Sequence, residues 1–284
     1  MNPRLRSSCK ESFRATTMNS LISFFFFFFQ LLLLARSCAV AQSPAPAPLS
    51  ASSPLDQILD ALDARGKNLN DFSADVSLSQ SDTLGSGVST LSGKVFYQSK
   101  PDADARMRVA FDTRKVGAKT DKDSKTDKDS RLEYLLDKGW LIEQDYKHKV
   151  QVDRQVLKPG QKINLLKLGE GPFPLPIGQS RADVLKMFDV KKIEPAKDDP
   201  ADTVHVQLNP KPGTQFERKF KSIDVWVDLK TNFPRRIETL DRNQTEVRTT
   251  DLSNIQVNHG VEARQFALDK TPDTWTHRTE EMSE

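Results

Sequence analysis

Cysteine is nearly absent from this chain of 284 residues, which contains only Cys9 and Cys38. Both lie in an N-terminal segment that we expect to be removed on export, for reasons given below. The chain that remains after removal has no means to form a disulfide, a thiol nucleophile or a zinc site built on cysteine. Enzymes and metal-binding modules that depend on cysteine are therefore excluded.

Histidine and the common catalytic motifs are equally scarce. The four histidines, His148, His205, His259 and His277, are never paired at the spacing of metal ligands, so each is expected to be a surface residue. The chain contains no Gly-x-Ser-x-Gly nucleophile motif. The Gly-Glu-Gly run at 169–171 continues into prolines and opens no helix that could hold a phosphate. We expect no enzymatic activity, no metal and no cofactor.

An excess of charge of one sign is also missing once the N-terminal segment is set aside. The whole chain has 42 Lys/Arg and 39 Asp/Glu. Five of these bases and one of these acids lie in residues 1–41, so 37 and 38 remain and the net charge becomes −1. Basic and acidic residues are interleaved, with few aromatics beside them, so nucleic acid is not an expected partner.

The first 41 residues are predicted to be a cleaved export signal. Basic residues precede the short apolar run 21–34, LISFFFFFFQLLLL, and Ala39-Val40-Ala41 fits a signal-peptidase site. A membrane anchor is the alternative, but the run is shorter than the roughly 20 apolar residues that a span needs. The signal can begin at Met1 or at Met18. We expect a periplasmic protein, not membrane-spanning, whose mature chain begins near Gln42.

A linker and an amphipathic helix follow. Residues 42–53 are rich in Pro and Ala and predict an extended linker that buries nothing. Ser53 is the expected cap of a helix that begins at Pro54 and ends near Gly66. Its apolar residues recur at helical spacing and form one stripe, so the helix must lie on another element.

Alternation of apolar and polar residues predicts β-strands through most of the remaining chain. In the stretch 222–241, SIDVWVDLKTNFPRRIETLD, apolar residues occupy every second position from Ile223 to Leu229. Thr231 to Pro234 supply turn chemistry, which predicts an antiparallel hairpin. Similar short strands recur at near-regular spacing from Phe72 onward, and together they predict one large curled antiparallel sheet.

A low-complexity insert interrupts the strands at 118–131, where TDKDSK is repeated as TDKDSR. Its mixed charge and lack of apolar residues predict a solvated hairpin loop at the surface. Its aspartates are spaced by twos, as in a calcium loop. However, Thr126 stands where that loop needs glycine, and Leu132 where it needs a bidentate glutamate. The insert is therefore not predicted to bind calcium.

The stretch 163–178, INLLKLGEGPFPLPIG, is apolar but broken by three prolines, so it is neither a regular helix nor a central strand. Ser180 and Asp183 then begin a short helix that carries Leu185 and Phe188. An apolar loop of this length lies against apolar surface or exposes it. A fixed plug over one end of the sheet and a movable lid over a ligand cavity both remain open.

The order of these parts resembles the LolA-like family of periplasmic lipoprotein carriers. The resemblance spans Leu55 to Leu268 and rests on the helix followed by DFSADVSLSQ, GKVFYQSKPDADARMRVAF, YLLDKGWLIEQDYKHKVQV and IDVWVDLKTNFPRRIETLD. It implies a mainly β (α+β) fold, in which a curled antiparallel sheet forms an incomplete β-barrel covered by a few helices. We expect this domain at 54–270, followed by a polar C-terminal tail at 271–284.

The resemblance also implies a function. Proteins of this family hold the acyl chains of lipoproteins, or another lipid, against the concave face of the sheet. The implied partners are inner-membrane release machinery and an outer-membrane acceptor. An envelope-stress sensor or a structural interaction module of the same fold is the alternative. The residues expected to line the cavity and its lid are Val76, Leu78, Val109, Phe111, Ile142, Phe173, Leu175, Ile177, Leu185, Phe188, Val225 and Val227.

Overall fold

The computed structural model describes residues 48–83, 87–100, 103–117, 125–127, 130–158 and 177–282. The predicted export signal, most of the 163–178 loop and most of the insert lie outside these residues. Within the described ranges, no helix combines the length and the apolar character needed to cross a membrane.

Thirteen strands form a single sheet whose centre is the first strand. The sheet runs in the order β13-β7-β6-β5-β3-β2-β1-β12-β11-β10-β9-β8, and β4 pairs with the end of β3. All pairs are antiparallel except β13 with β7. The two outermost strands of this order, β13 and β8, are not paired in the described structure, which confirms the predicted incomplete barrel. The strands are β1 (Asp71–Asp82), β2 (Val88–Lys100), β3 (Ala103–Gly117), β4 (Lys125–Asp127), β5 (Leu132–Asp137), β6 (Trp140–Asp145), β7 (Val150–Gln155), β8 (Phe188–Ile193), β9 (Thr203–Pro210), β10 (Phe220–Asp228), β11 (Pro234–Asp241), β12 (Glu246–Val257) and β13 (Thr276–Glu280).

The hairpin predicted for 222–241 is confirmed as β10 and β11. Val225 lies opposite Ile237. The turn places Asn232 at φ 56°, a left-handed conformation that asparagine tolerates better than most residues. The Asp228 carboxylate accepts the backbone N–H of Thr231 at 2.7 Å, which holds the turn closed.

One face of the sheet is concave and carries the hydrophobic core. Because side chains alternate between the faces of a strand, the register places one set of apolar residues on this face. In this set, Phe72 of β1 lies opposite Tyr97 of β2, and Tyr97 lies opposite Met107 of β3. Phe72 also packs edge-on against Phe233, with ring centroids 5.1 Å apart. The core therefore extends over the sheet from Leu136 of β5 to Phe188 of β8.

Helix α1 (Leu55–Lys67) covers the concave face. It buries Ile58, Leu59 and Leu62, and the Nε of Arg65 donates to the carbonyl of Thr231 at 2.7 Å. The helix begins after Pro54 without a side-chain cap. The predicted cap by Ser53 is wrong, because the Ser53 hydroxyl accepts the N–H of Ser50 at 3.0 Å instead.

Part of the linker before α1 packs against the folded domain. Leu49 is only 7% exposed, and its N–H donates to the carbonyl of Leu229 at 2.7 Å. On β8, the Lys192 ammonium donates to the carbonyls of Ala51 and Ser53. The interpretation that residues 42–53 bury nothing is therefore wrong at Leu49.

The segment from Ile177 to the end of α2 (Arg181–Met187) lies against α1. As predicted, the Ser180 hydroxyl accepts the N–H of Asp183 at 3.1 Å and caps α2. Gly178 has φ 74°, and its N–H donates to the carbonyl of Leu62 at 3.2 Å. A Cβ built on Gly66 would lie 2.2 Å from the Cα of Gly178, so the two backbones meet directly. We call α1 with 177–187 the cover.

The C-terminal segment crosses the opposite, convex face. It includes a short 3₁₀ helix, Ala263–Phe266, and Phe266 packs under the Arg106 guanidinium at 4.0 Å. Beside it, fully buried Glu133 accepts from Arg108 and Arg131. Residues 276–280 then form β13 beside β7, so this part of the predicted polar tail belongs to the sheet.

The described part of the insert is also structured. β4 pairs with residues Arg114 to Val116 of β3. Ser130 is buried, and its hydroxyl donates to the carbonyl of Asp127 at 2.9 Å. Residues 125–127 therefore form a strand that pairs with β3, while 118–124 and 128–129 lie outside the described residues, so the surface location of the insert stays a prediction.

Candidate functional site

The concave surface of β1, β2, β3, β5 and β12, which we call the trough, contains a small buried void. The void holds about 20 Å³, room for about one water molecule. Every side chain around it is apolar except Thr250. The central part of the trough is thus a closed core in this structure. The void is lined by Phe72, Val76, Val95, Met107, Val109, Thr250 and Leu252.

The trough continues into an open cleft of about 210 Å³, which we call the outer cleft. Leu78 lies two residues beyond Val76 on β1, on the same face of the strand, so the void and the cleft follow one strand. Three leucines form the apolar floor of the cleft, and polar side chains surround them. The cleft is lined by Leu78, Leu91, Leu132, Gln80, Ser89, Arg114, Ser130, Asp145, Lys147 and His148.

Two of the basic residues at the rim are paired with carboxylates. The Lys147 ammonium lies 2.8 Å from Asp127, and His148 Nδ1 lies 2.7 Å from Asp145. Burial alone raises the pKa of Asp145, but the hydrogen bonds from the side chain and backbone of His148 outweigh it and lower that pKa. Asp145 is therefore held as a carboxylate beside His148.

Arg114 is the third basic residue of the rim, and its hydrogen-bond partner is a hydroxyl group and not a carboxylate. Its Nε donates to the Ser89 hydroxyl at 3.2 Å. Among the described residues, it forms no ion pair with a carboxylate. Its side chain is half-buried against the cleft.

A β-bulge explains why Arg114 points into the cleft. Phe111 lies opposite Gly93, but Arg114 lies opposite Leu91, so the register of β3 slips by one residue between them. Strict alternation from Phe111 would place Arg114 on the convex face. Gly93 permits the bulge, because a Cβ there would lie 1.8 Å from the carbonyl oxygen of Ala110.

Most of the described residues predicted for the cavity lie on the concave side. Leu78 is half-buried in the floor of the outer cleft. Phe188 is fully buried but belongs to β8, not to the helix that the sequence predicts for it. Phe173 and Leu175 lie outside the described residues. Whether any of these residues binds a ligand stays a prediction. Those buried in the core are Val76, Val109, Phe111, Ile177, Phe188, Val225 and Val227.

Two predicted residues lie elsewhere. Ile142 pairs with Leu135, whereas its neighbour Leu141 pairs with Leu136, which lies opposite concave-facing Met107. Ile142 therefore faces the convex side, and the expectation that it shares a face with Val109 is wrong. Leu185 is also misplaced, because it is 37% exposed on α2 and does not cover the core.

The prediction that every histidine lies at the surface is wrong for His205. Its side chain is only 11% exposed and its Nε2 lies 2.9 Å from Asp224. The ring stacks on Trp226 at a centroid distance of 4.1 Å, and the Trp226 indole N–H donates to Asp199 at 2.7 Å. These contacts join β9 to β10 on the convex face. No cluster of metal-ligating side chains occurs among the described residues.

Comparisons with known proteins place the chain among several solved structures of low similarity. No family model matches the chain, and no curated protein matches its sequence. MucB is 11% identical with a TM-score of 0.42, over 75% of this chain and 62% of MucB. MucB also occurs in a complex with MucA from Pseudomonas aeruginosa, with a TM-score of 0.42. The chain thus spans less than two thirds of MucB.

The structural neighbours also include proteins of the class that the sequence resembles. A domain described as an outer membrane lipoprotein-sorting protein from Vibrio parahaemolyticus is 12% identical, with a TM-score of 0.33 over 74% of this chain and 95% of that domain. LprF from Mycobacterium bovis is 13% identical, with a TM-score of 0.37 over 78% and 96%. At TM-scores below 0.5 these likenesses decide nothing about function, which must be judged from the site.

Proposed function

We propose that this chain is an exported lipid-binding protein that carries lipoproteins by their acyl chains through the periplasm toward the outer membrane. The observation that supports this function is the outer cleft. Its floor of Leu78, Leu91 and Leu132 leads along the trough to the apolar void. A saturated chain needs an open apolar surface of this kind and few polar contacts.

Binding begins in the outer cleft and proceeds into the trough as the cover moves. The void of about 20 Å³ is too small for an acyl chain, so α1 or 177–187 must shift to admit one. Each buried CH₂ contributes about 0.8 kcal/mol, which opposes the cost of opening. Because the closed cover competes with the chain for the same surface, the protein can also release its cargo. Release machinery and an acceptor protein would act on that equilibrium.

A filled-cleft variant tests the proposal. Leu78→Trp places an indole in the open outer cleft, where added volume meets space and not a packed core. We expect the variant to fold and to lose most of its affinity for a fluorescent fatty-acid probe. Ser77→Trp is the matched control, because Ser77 is the neighbouring residue on β1 and faces the convex side.

Probe displacement and thermal melts are measured together for both variants. Equal probe binding by the parent and Leu78→Trp, with both folded, would contradict the proposal. Native mass spectrometry of the protein isolated from the cell envelope adds an independent test, since a retained lipid is identified by its mass.

A sensor or interaction module is the second candidate. The small volume of the void favours it, because a trough filled by its own side chains behaves as a fixed plug. On this alternative, the parent protein binds no fatty-acid probe, and deuterium exchange of α1 is unchanged when lipid is added.

A further inference from the structure

We propose that the outer cleft recognises the anionic head of a single-chain lipid and that Arg114 receives the head group. This inference rests on the lipid binding in the proposed function. It concerns a fatty-acid-like ligand and not the uncharged acyl anchor of a lipoprotein, and it adds the ligand's charge and orientation. It concerns the charged side chains at the rim of the cleft, which are not needed to bind a hydrocarbon chain in the apolar trough.

The position of Arg114 gives the first argument. The bulge in β3 turns this side chain from the convex face into the cleft, where it lies opposite Leu91. A guanidinium beside an apolar floor loses part of its hydration. Its planar N–H donors match the two oxygens of a carboxylate or phosphate better than an ammonium does.

The distribution of charge around the rim gives the second argument. Five charged or titratable side chains lie near one another: Arg114, Lys147, His148, Asp127 and Asp145. Asp145 is held by His148, and Asp127 by Lys147. Asp127 also lies opposite Arg114 across β3 and β4, and its carboxylate pairs with Lys147. Arg114 is thus the rim cation that has only the Ser89 hydroxyl as a side-chain partner in the described chain.

The shape of the cleft sets the direction of the ligand. Leu91 lies beside Arg114 across β2 and β3, and Leu78 lies beside Leu91 across β1 and β2. From Leu78 the trough leads to Val76 at the void. A head group on Arg114 therefore places its tail over the leucines with the methyl end toward the cover. A cationic head in the same place would meet an arginine that repels it.

The test compares two lipids of equal chain length, decanoate and 1-decanol, by isothermal titration at neutral pH on the protein produced from the full chain. We expect decanoate to bind more tightly than 1-decanol. Arg114→Gln keeps a polar side chain but removes the charge, and should weaken decanoate binding about tenfold, the size of one charged hydrogen bond. It should weaken 1-decanol binding much less, because the alcohol carries no charge.

Lys115→Gln is the matched control. Lys115 is the next residue of β3, carries the same charge and is exposed on the other side of the strand. It should bind both lipids as the parent does. Thermal melts of both variants confirm that each is folded at the temperature of the titration.

Other outcomes separate the claims. If decanoate and 1-decanol bind equally and Arg114→Gln alters neither, the head-group assignment is wrong while the lipid-binding function stands. If neither lipid binds the parent, the proposed function itself fails. Acetate and inorganic phosphate are titrated as anions that have the charge of a head group but no acyl chain. If either binds as tightly as decanoate, the conclusion that the ligand of Arg114 is a lipid is wrong.

Discussion

Gln179 is a buried amide in the cover, located between the end of the 163–178 loop and α2. It is 5% exposed, and in the described part of the chain neither its amide nitrogen nor its oxygen has a hydrogen-bond partner. An unsatisfied buried polar group costs about 1–3 kcal/mol. The closed cover is therefore held less tightly than its apolar contacts would allow, which suits the opening that the proposed lipid binding requires.

Replacing this amide by a hydrocarbon of similar size should stabilise the closed protein. Gln179→Leu is expected to raise the free energy of unfolding by about 1–2 kcal/mol, measured by urea denaturation, and to weaken binding of a fatty-acid probe. Gln144→Leu is the control, because Gln144 is equally buried but its amide donates to Gln151 and to the carbonyl of Asp269. That variant should be destabilised. Destabilisation of both would show that Gln179 is satisfied in solution.

The contact between α1 and the 177–187 segment depends on two glycines. A Cβ on Gly66 would overlap the backbone of Gly178, where no flexible side chain can move aside. Helix propensity alone would favour alanine at position 66 by about 1 kcal/mol. The overlap should reverse that sign, because α1 and 177–187 cannot approach as closely.

We therefore expect Gly66→Ala to lower the melting temperature and to speed deuterium exchange in α1 and α2. Gly87→Ala is the control, since a Cβ at Gly87 meets nothing within 4 Å. A melting temperature for Gly66→Ala at or above that of the parent would show that the two segments are not in contact.

The strands are the part of the fold that the sequence predicts best. Alternation from Ile223 to Leu229 predicts β10 because one face of the strand is buried and the pattern reports that burial directly. The turn at Asn232 is also predicted, because asparagine tolerates the positive φ that this turn requires. Local patterns are enough where local geometry decides the structure.

The predictions that fail depend on pairing that no local pattern records. Ile142 belongs to a run of three apolar residues, and only the register with β5 decides which of them faces the core. Arg114 changes face because of a bulge next to Phe111. Glu133 is buried between Arg108 and Arg131, and these arginines contact the distant residues Gln265 and Asp269. Nothing in its own sequence context indicates this burial.

The tyrosines provide a test of the whole folded molecule. Burial raises the pKa of all three tyrosines, Tyr97, Tyr134 and Tyr146. At Tyr97, a hydrogen bond with Ser99 acts in the opposite direction. For Tyr134, burial and then the negative charges of Glu143 and Asp145 raise the pKa to about 12 from an ordinary value of 10.0. The folded protein therefore holds these protons more tightly than the unfolded chain.

The sign of the pH effect follows. Above pH 10 the unfolded chain loses its tyrosine protons first, so this contribution to stability is complete below pH 10 and is lost as pH rises toward about 12. Ultraviolet titration should show tyrosinate forming only above pH 10, and Tyr134→Phe should make the loss of stability less steep. A titration with the ordinary midpoint would mean that the tyrosines are solvated.

The order of strands in the sheet has a consequence for the way the chain reaches its native state. From β1 to β7 and from β8 to β12, nearly every strand pairs with one close to it along the chain. The pairing of β1 with β12 is different, because it joins Phe72 to Val257. Short loops close quickly and long ones slowly. We expect two meanders to form early and this seam to close last. Kinetic analysis should then find that Leu252→Ala at the seam mainly accelerates unfolding, whereas Val225→Ala inside a meander mainly slows folding; the reverse pattern would place the seam in the nucleus.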